Sequence, residues 1–191
     1  KNTIGGAVNM ITRPPSGEFG GQVWMSYGSW HRFQRRVSVD LPEVGGFKIK
    51  LGYSGNNQDG YWRNAATGGY FGEQSLNAGR VDVLWEPSST FSARYVYDIS
   101  YADGTPTLLA ISALGSTLPA SVRPLVQGEV FPDRPGRDDV SAQSARRSDF
   151  RTSGHSLTLS LDLGSGALGD VSLRSITARR TMRSRSQSDF D

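Results

Sequence analysis

Apolar and polar residues alternate along most of this chain with a period of two. Val23, Met25 and Tyr27 interleave with Gln22, Trp24 and Ser26. Phe33, Val37, Val39 and Leu41 interleave with Gln34, Arg36, Ser38 and Asp40, and Arg35 breaks the apolar face. Phe47, Ile49, Leu51 and Tyr53 alternate with Lys48, Lys50 and Gly52, and Val81, Val83 and Trp85 oppose Arg80, Asp82 and Leu84. The longest run sets Phe91, Ala93, Tyr95, Tyr97, Ile99 and Tyr101 against Ser92, Arg94, Val96, Asp98 and Ser100. A sixth sets Leu157, Leu159, Leu161 and Leu163 against Ser156, Thr158, Ser160 and Asp162; a seventh opens with Val171 and Leu173 and loses its parity near Ile176. Side chains on a strand point to the two faces in turn, so each run predicts a strand with one apolar and one polar face. The runs are about 8–11 residues long, close to the roughly 9–11 that a tilted transmembrane strand needs and longer than the usual strand of a soluble sheet. Polar faces bearing Lys, Arg and Asp suit a water-filled or plugged lumen. Aromatic residues at the ends of the runs (Tyr27, Trp30, Phe47, Trp85, Phe91, Tyr101) suit the girdles of a lipid–water boundary.

The connections alternate in length. A tight turn around Gly28–His31 is followed by a short connection, Pro42–Gly46, and a long one, Asn56–Ser75. Then come a short one, Pro87–Thr90, a very long one, Asp103–Ser153, and a short one, Gly164–Gly169. Outer-membrane barrels have short periplasmic turns and longer extracellular loops, which is the same asymmetry. Within the longest connection, Thr107–Leu118 is predicted to form a short helix. Composition points the same way. Hydrophobic residues make up 36% of the 191, below the usual globular share, as a sheet that buries one face against lipid requires. The absence of cysteine excludes a disulfide framework and thiolate metal ligation. No run approaches the roughly 18 apolar residues of a spanning helix, so a membrane-crossing form of this chain must be a closed barrel. Seven strands are an odd number, whereas bacterial barrels are even and lipid does not tolerate open sheet edges. The chain is therefore expected to be part of a longer one, starting in mid-motif at Lys1.

The first residues carry a different pattern. Lys1-Asn2-Thr3-Ile4-Gly5-Gly6-Ala7-Val8-Asn9-Met10-Ile11-Thr12-Arg13-Pro14 reads as a Gly-Gly turn, a short strand (Ala7–Thr12) and a proline stop. Gly5 and Gly6 permit a turn that a Cβ would strain, Asn2 and Asn9 can bond nearby backbone, and Pro14 with Pro15 ends strand pairing. This stretch resembles the end of the plug domain of TonB-dependent outer-membrane receptors; it matches that family's basic residue, Asn-Thr-x-Gly-Gly, small apolar residue, x-Asn-x-Ile-Thr, basic residue and Pro. The Gly20–Tyr27 run with its Gly-Ser-Trp-His turn is similar to the family's first barrel hairpin. Asp59-Gly60-Tyr61, Leu84-Trp85-Glu86-Pro87 and Ser175-Ile176-Thr177-Ala178 are similar to later parts of it.

The resemblance implies an all-β fold: an antiparallel transmembrane β-barrel of about twenty-two strands, of which some seven are here, preceded by the last strand of a plug. Residues 1–15 would end the plug and residues 16–191 would begin the barrel. It implies active import of a scarce ligand across the bacterial outer membrane, a ferric siderophore foremost, with vitamin B12, haem or a carbohydrate as alternatives. Energy would come from TonB with ExbB and ExbD, acting through a plug and TonB box upstream of Lys1. Asn2, Thr3, Gly5, Gly6, Asn9, Thr12 and Pro14 would be structural residues of the plug end.

Other chemistry is weakly signalled. His31 and His155 are far apart and lie at predicted strand ends, where girdle or surface roles are expected. Asp138-Asp139 and Asp189–Asp191 lack the spacing of a calcium loop. No serine has a nucleophile-elbow context and no Gly-Gly pair resembles a phosphate loop, so neither an enzyme nor a resident cofactor is expected. Net charge is +3, with arginines scattered except in 145–151 and 178–185, and nucleic acid is not an expected partner. Arg80, Asp82, Arg94 and Asp98 fall on the predicted lumen faces of adjacent strands, as a charge ladder against the plug or as ligand contacts. Arg146 and Arg147, with Arg151, fall in the longest connection, where they could meet lipopolysaccharide phosphates or an anionic chelate. Two rival readings are a passive porin-type barrel, which leaves Asn2–Pro14 unexplained, and a soluble β-sandwich binding module, which leaves the loop-length asymmetry unexplained.

Overall fold

The computed structural model describes residues 12–63, 68–105, 115–117, 119–126, 148–166 and 169–186. The strands are β1 (Gly20–Gly28), β2 (Arg32–Val44), β3 (Phe47–Gln58), β4 (Trp62–Arg63), β5 (Tyr70–Phe71), β6 (Gln74–Trp85), β7 (Phe91–Gly104), β8 (Ser148–Gly166) and β9 (Gly169–Arg185). One helical turn, α1, covers Arg123–Val126. Seven strands form a single antiparallel sheet in the order β1-β2-β3-β6-β7-β8-β9, with β1 and β9 as its edges; β4 and β5 form a small separate hairpin. The fold is all-β. Within the seven-stranded sheet each strand pairs with the next one along the chain, the β4–β5 hairpin being an excursion between β3 and β6, as in a meander.

All seven expected strands are present and all are longer than the alternation that announces them. Backbone pairing continues where the side chains stop alternating, because the ladder needs only N–H and C=O groups. The connection expected over Asn56–Ser75 is shorter and contains the β4–β5 hairpin, around a buried Phe71. The one expected over Asp103–Ser153 runs only from Gly104 to Ser148. Arg151 and His155 therefore lie inside β8 and not in a loop or at a strand end. The run Ser148–Gly154 carries one apolar residue, Phe150, among Gly, Ser, Thr and charged residues, so it has no apolar stripe to announce it. Most of the expected helix Thr107–Leu118 lies outside the described residues, and its described part, 115–117, is not helical. The expected plug strand Ala7–Thr12 also lies outside them, apart from Thr12, which is not in a strand.

The register keeps each face intact across the sheet. One ladder row reads Val39, Leu51, Val81, Tyr97 and the next Leu41, Ile49, Val83, Tyr95, Leu157. This apolar face is bare: Val23, Met25, Tyr27, Leu51, Tyr53, Tyr95, Leu157 and Leu159 are all exposed. The buried side chains lie mostly elsewhere. Asp82, Thr152 and Val96 are buried on the polar face, and among the described residues Val96 and Phe71 are the buried hydrophobics. A soluble sheet would have this arrangement reversed.

Candidate functional site: the polar face and the long-loop end

Two successive ladder rows place alternating charge on the polar face. The first runs Asp40, Lys50, Asp82, Val96; the second runs Ser38, Gly52, Arg80, Asp98, Gly154, Arg180. Same-face neighbours on adjacent strands sit about 4.5–5.5 Å apart at Cβ, close enough for opposite charges to pair. They do. Asp82, only 2% exposed, accepts from Arg94 Nε at 2.9 Å and Arg94 Nη2 at 2.6 Å, and from Arg80 Nη2 at 3.3 Å. Lys50 Nζ lies 3.2 Å from Asp40 Oδ2, and Lys48 Nζ lies 2.7 Å from Glu86 Oε2. Asp98 accepts from Arg180 Nη2 at 3.0 and 3.2 Å, although a whole strand separates them. Gly154 occupies the row position between the two. A Cβ there would stand 3.0 Å from Arg180 Nη2 and 3.1 Å from Asp98 Oδ1, so only glycine leaves the path open.

The segment before β1 lies on this same face. Thr12 Oγ1 accepts from Arg80 Nη2 at 2.9 Å, and the Ser16 amide donates to Asp40 Oδ1 at 3.0 Å. The Glu43 amide donates to the Gly17 carbonyl at 2.7 Å, and Pro15 is buried. A half-open cavity of about 210 Å³ is lined by Thr12 and Arg13 on one side and by Lys50, Arg80 and Asp82 on the other.

Of the residues singled out from the sequence, Arg80, Asp82, Arg94 and Asp98 share this face, but as two groups. Arg80, Asp82 and Arg94 form one cluster around a carboxylate, while Asp98 turns to Arg180. Thr12 joins the first cluster, and Pro14 is exposed. Asn2, Thr3, Gly5, Gly6 and Asn9 lie outside the described residues, as do Arg146, Arg147, Asp138, Asp139 and Asp189–Asp191. Sequence inspection missed Asp40, Lys50, Ser16 and Arg180. Each is unremarkable alone, and only the pairing register shows which strand each will face.

A second cluster occupies the long-loop end. The β1–β2 turn holds Trp30 and His31 at φ of 54° and 50°, a left-handed conformation that costs a residue with a Cβ about 1–2 kcal/mol. Three contacts hold it. His31 Nδ1 lies 2.7 Å from Asp59 Oδ2, the Asp59 amide donates to the Trp30 carbonyl at 3.0 Å, and Trp30 packs on Tyr61 with ring centroids 5.2 Å apart. Trp30, His31, Asp59, Gly60, Tyr70 and Glu73 line an open, aromatic-walled hollow here. At the opposite end, Phe47 stacks on Trp85 at 5.5 Å and Trp85 meets Phe91 edge-on at 6.1 Å, all on the apolar face.

Arg35, which interrupts the apolar face of β2, is held by four hydrogen bonds. It donates to Tyr53 Oη at 2.9 Å, Asn57 Oδ1 at 2.9 Å and Asn77 Oδ1 at 3.2 Å. Its guanidinium lies over Gly55, where a Cβ would meet Nε at 2.7 Å.

No protein-family model matches the chain, and no solved structure matches it at a significant level.

Proposed function

We propose that this chain belongs to an outer-membrane β-barrel that imports a scarce ligand, with energy delivered through TonB. One observation carries the reading: the sheet is inside out. Its apolar face is exposed on β1, β3, β7 and β8, while its polar face holds the buried Asp82 carboxylate with its arginines. Lipid on one side and a hydrated, plugged lumen on the other account for both faces.

Three further features support it. The apolar band runs obliquely to the ladder rows. On β3 it reaches Tyr53 and on β7 Tyr101, whereas on β8 it stops at Leu157 and on β9 at Leu173, nearer the short turns. Strands tilted by about 35–45° to a membrane produce this offset. The Phe47–Trp85–Phe91 cluster suits a girdle at the short-turn boundary. Finally, Thr12–Gly17 lies against the polar face, which favours a plug in the lumen over an empty porin channel.

In this reading the ligand enters from the long-loop side and meets the aromatic hollow around Trp30 and Tyr70. The plug leaves the lumen by way of Thr12 and the Arg80–Asp82–Arg94 cluster. Binding and transport then proceed without covalent chemistry. A ferric siderophore is the ligand we favour, ahead of vitamin B12, haem or a carbohydrate.

The test is uptake in whole cells. The full-length gene is deleted and restored, and uptake of a panel of iron-labelled siderophores is measured with and without TonB. Uptake of at least one siderophore that needs both the gene and TonB is the expected result. Transport that survives the loss of TonB assigns a passive porin, and a full-length protein that stays in solution without detergent rejects a barrel altogether.

A further inference from the structure

The turn between β1 and β2 carries its strain on two bulky rings. The Arg32 amide donates to the Ser29 carbonyl at 3.2 Å, closing a turn whose central residues, Trp30 and His31, both have positive φ. Hairpin turns of this kind take Asn, Asp or Gly there, and Gly would adopt the shape without strain. A tryptophan and a histidine in that place mark a turn kept for what its side chains do. The hollow they border is also built in advance. The Asp59 amide donates to the Trp30 carbonyl at 3.0 Å, the Tyr61 amide to the Phe71 carbonyl at 2.9 Å, and the Gly72 amide to Thr105 Oγ1 at 2.7 Å. The turn, the end of β3, the β4–β5 hairpin and the end of β7 are thereby tied together. Gly60 lets Tyr70 close in, since a Cβ there would stand 2.5 Å from Tyr70 Cβ.

The lining favours positive charge. Trp30 and Tyr70 stand about half exposed, at 49% and 52%, on an open hollow of about 510 Å³, a size suited to part of a small ligand. Asp59 and Glu73 add carboxylates, and no Lys or Arg is among the described residues that line it. Two arginines adjoin it in the chain without joining the lining. Arg32 donates to Asn56 Oδ1 at 3.4 Å on the polar face, and Arg63 pairs with Tyr70 across the β4–β5 ladder. The faces of Trp and Tyr rings attract cations, most strongly where water is displaced, and a carboxylate beside them adds to the attraction. The same groups repel an anion.

We propose that this hollow binds a positively charged organic group, and that the imported ligand is a ferric chelate carrying a free amine on an uncharged iron centre, as in a trihydroxamate, and not an anionic catecholate chelate. The ammonium group lies against the Trp30 and Tyr70 rings, with Asp59 as its counter-charge. The proposal rests on the transporter reading above and narrows its ligand.

The full-length protein in detergent is titrated with iron-labelled ferrioxamine B, a linear ferric trihydroxamate with a free amine, and with its N-acetylated form, which keeps the iron centre and loses the charge. Ferric enterobactin, an anionic tris-catecholate, is the third probe. Ferrioxamine B is expected to bind about tenfold or more tightly than its acetylated form. Asp59→Asn removes the charge and keeps an acceptor for His31, and Tyr70→Leu removes a ring face. Each is expected to cut that preference about threefold or more. Equal affinity for the amine and acetylated forms overturns the proposal. So does a failure to bind ferrioxamine B, or enterobactin binding as tightly. A preference left unchanged in either folded variant overturns it too. Should neither variant fold, the comparison of the three probes on the wild type still decides. The two readings fail separately. Uptake that does not need TonB rejects the transporter, whereas TonB-dependent uptake of the acetylated or catecholate chelate as fast as ferrioxamine B rejects only the cation site.

Discussion

Asp82 is the residue on which the polar face turns. It is almost wholly buried and receives three guanidinium hydrogen bonds from two strands' worth of arginine, Arg80 on its own strand and Arg94 on the next. Desolvating a carboxylate is costly, and only close, well-aimed partners offset it. Removing the carboxylate leaves Arg94 and Arg80 without their counter-charge. Asp82→Ala is expected to lower unfolding free energy by about 3 kcal/mol, read by denaturant titration in phospholipid vesicles. Arg180→Ala breaks an ion pair of similar length, but Arg180 is well exposed and water screens it. Its loss is expected to cost under about 1 kcal/mol in the same titration. Equal effects would mean that burial does not distinguish the two sites.

On a strand, alternation gives adjacent residues opposite surroundings, and β8 allows a direct comparison. Leu157 stands on the apolar face between Tyr95 and Thr177, and Ser156 stands on the polar face between Val96 and Ala178. In the proposed barrel the first faces lipid and the second the lumen. Leu157→Arg should therefore cost about 2–4 kcal/mol and reduce folded barrel in the outer membrane, while Ser156→Arg should assemble at near wild-type levels. The measurement is the heat-modifiable folded band on gels of membrane fractions. The reverse ranking would exchange the assignment of the two faces.

Across the whole sheet, the inside-out arrangement makes a prediction about solvent. The chain contains no cysteine, so single cysteines can be placed without a background. A fluorophore at Leu51→Cys or Leu159→Cys should be quenched by brominated lipids, and one at Ser54→Cys or Ser160→Cys should not. Quenching at all four positions, or at none, would contradict a sheet with one lipid face and one aqueous face. The same labels report the tilt. Quenching on the apolar face should persist farther toward the long loops on β3 than on β8, following the step from Tyr53 down to Leu157.

The sequence by itself determined the all-β class, the seven principal strands and, where the alternation holds, the face on which each side chain lies, because period-two alternation is a local property that survives without knowledge of any partner. Arg80, Asp82, Arg94 and Asp98 were therefore assigned to one face correctly. The partners were not legible. That Arg180 reaches Asp98 over Gly154, that Thr12 lands on Arg80, and that Arg151 opposes Arg183 depend on register and on contacts between residues far apart in the chain. The ends of the strands were also hidden, since pairing in 148–154 is carried by backbone hydrogen bonds that leave no hydrophobic trace. Alternation fixes which way a side chain points; only the assembled ladder decides what it meets there.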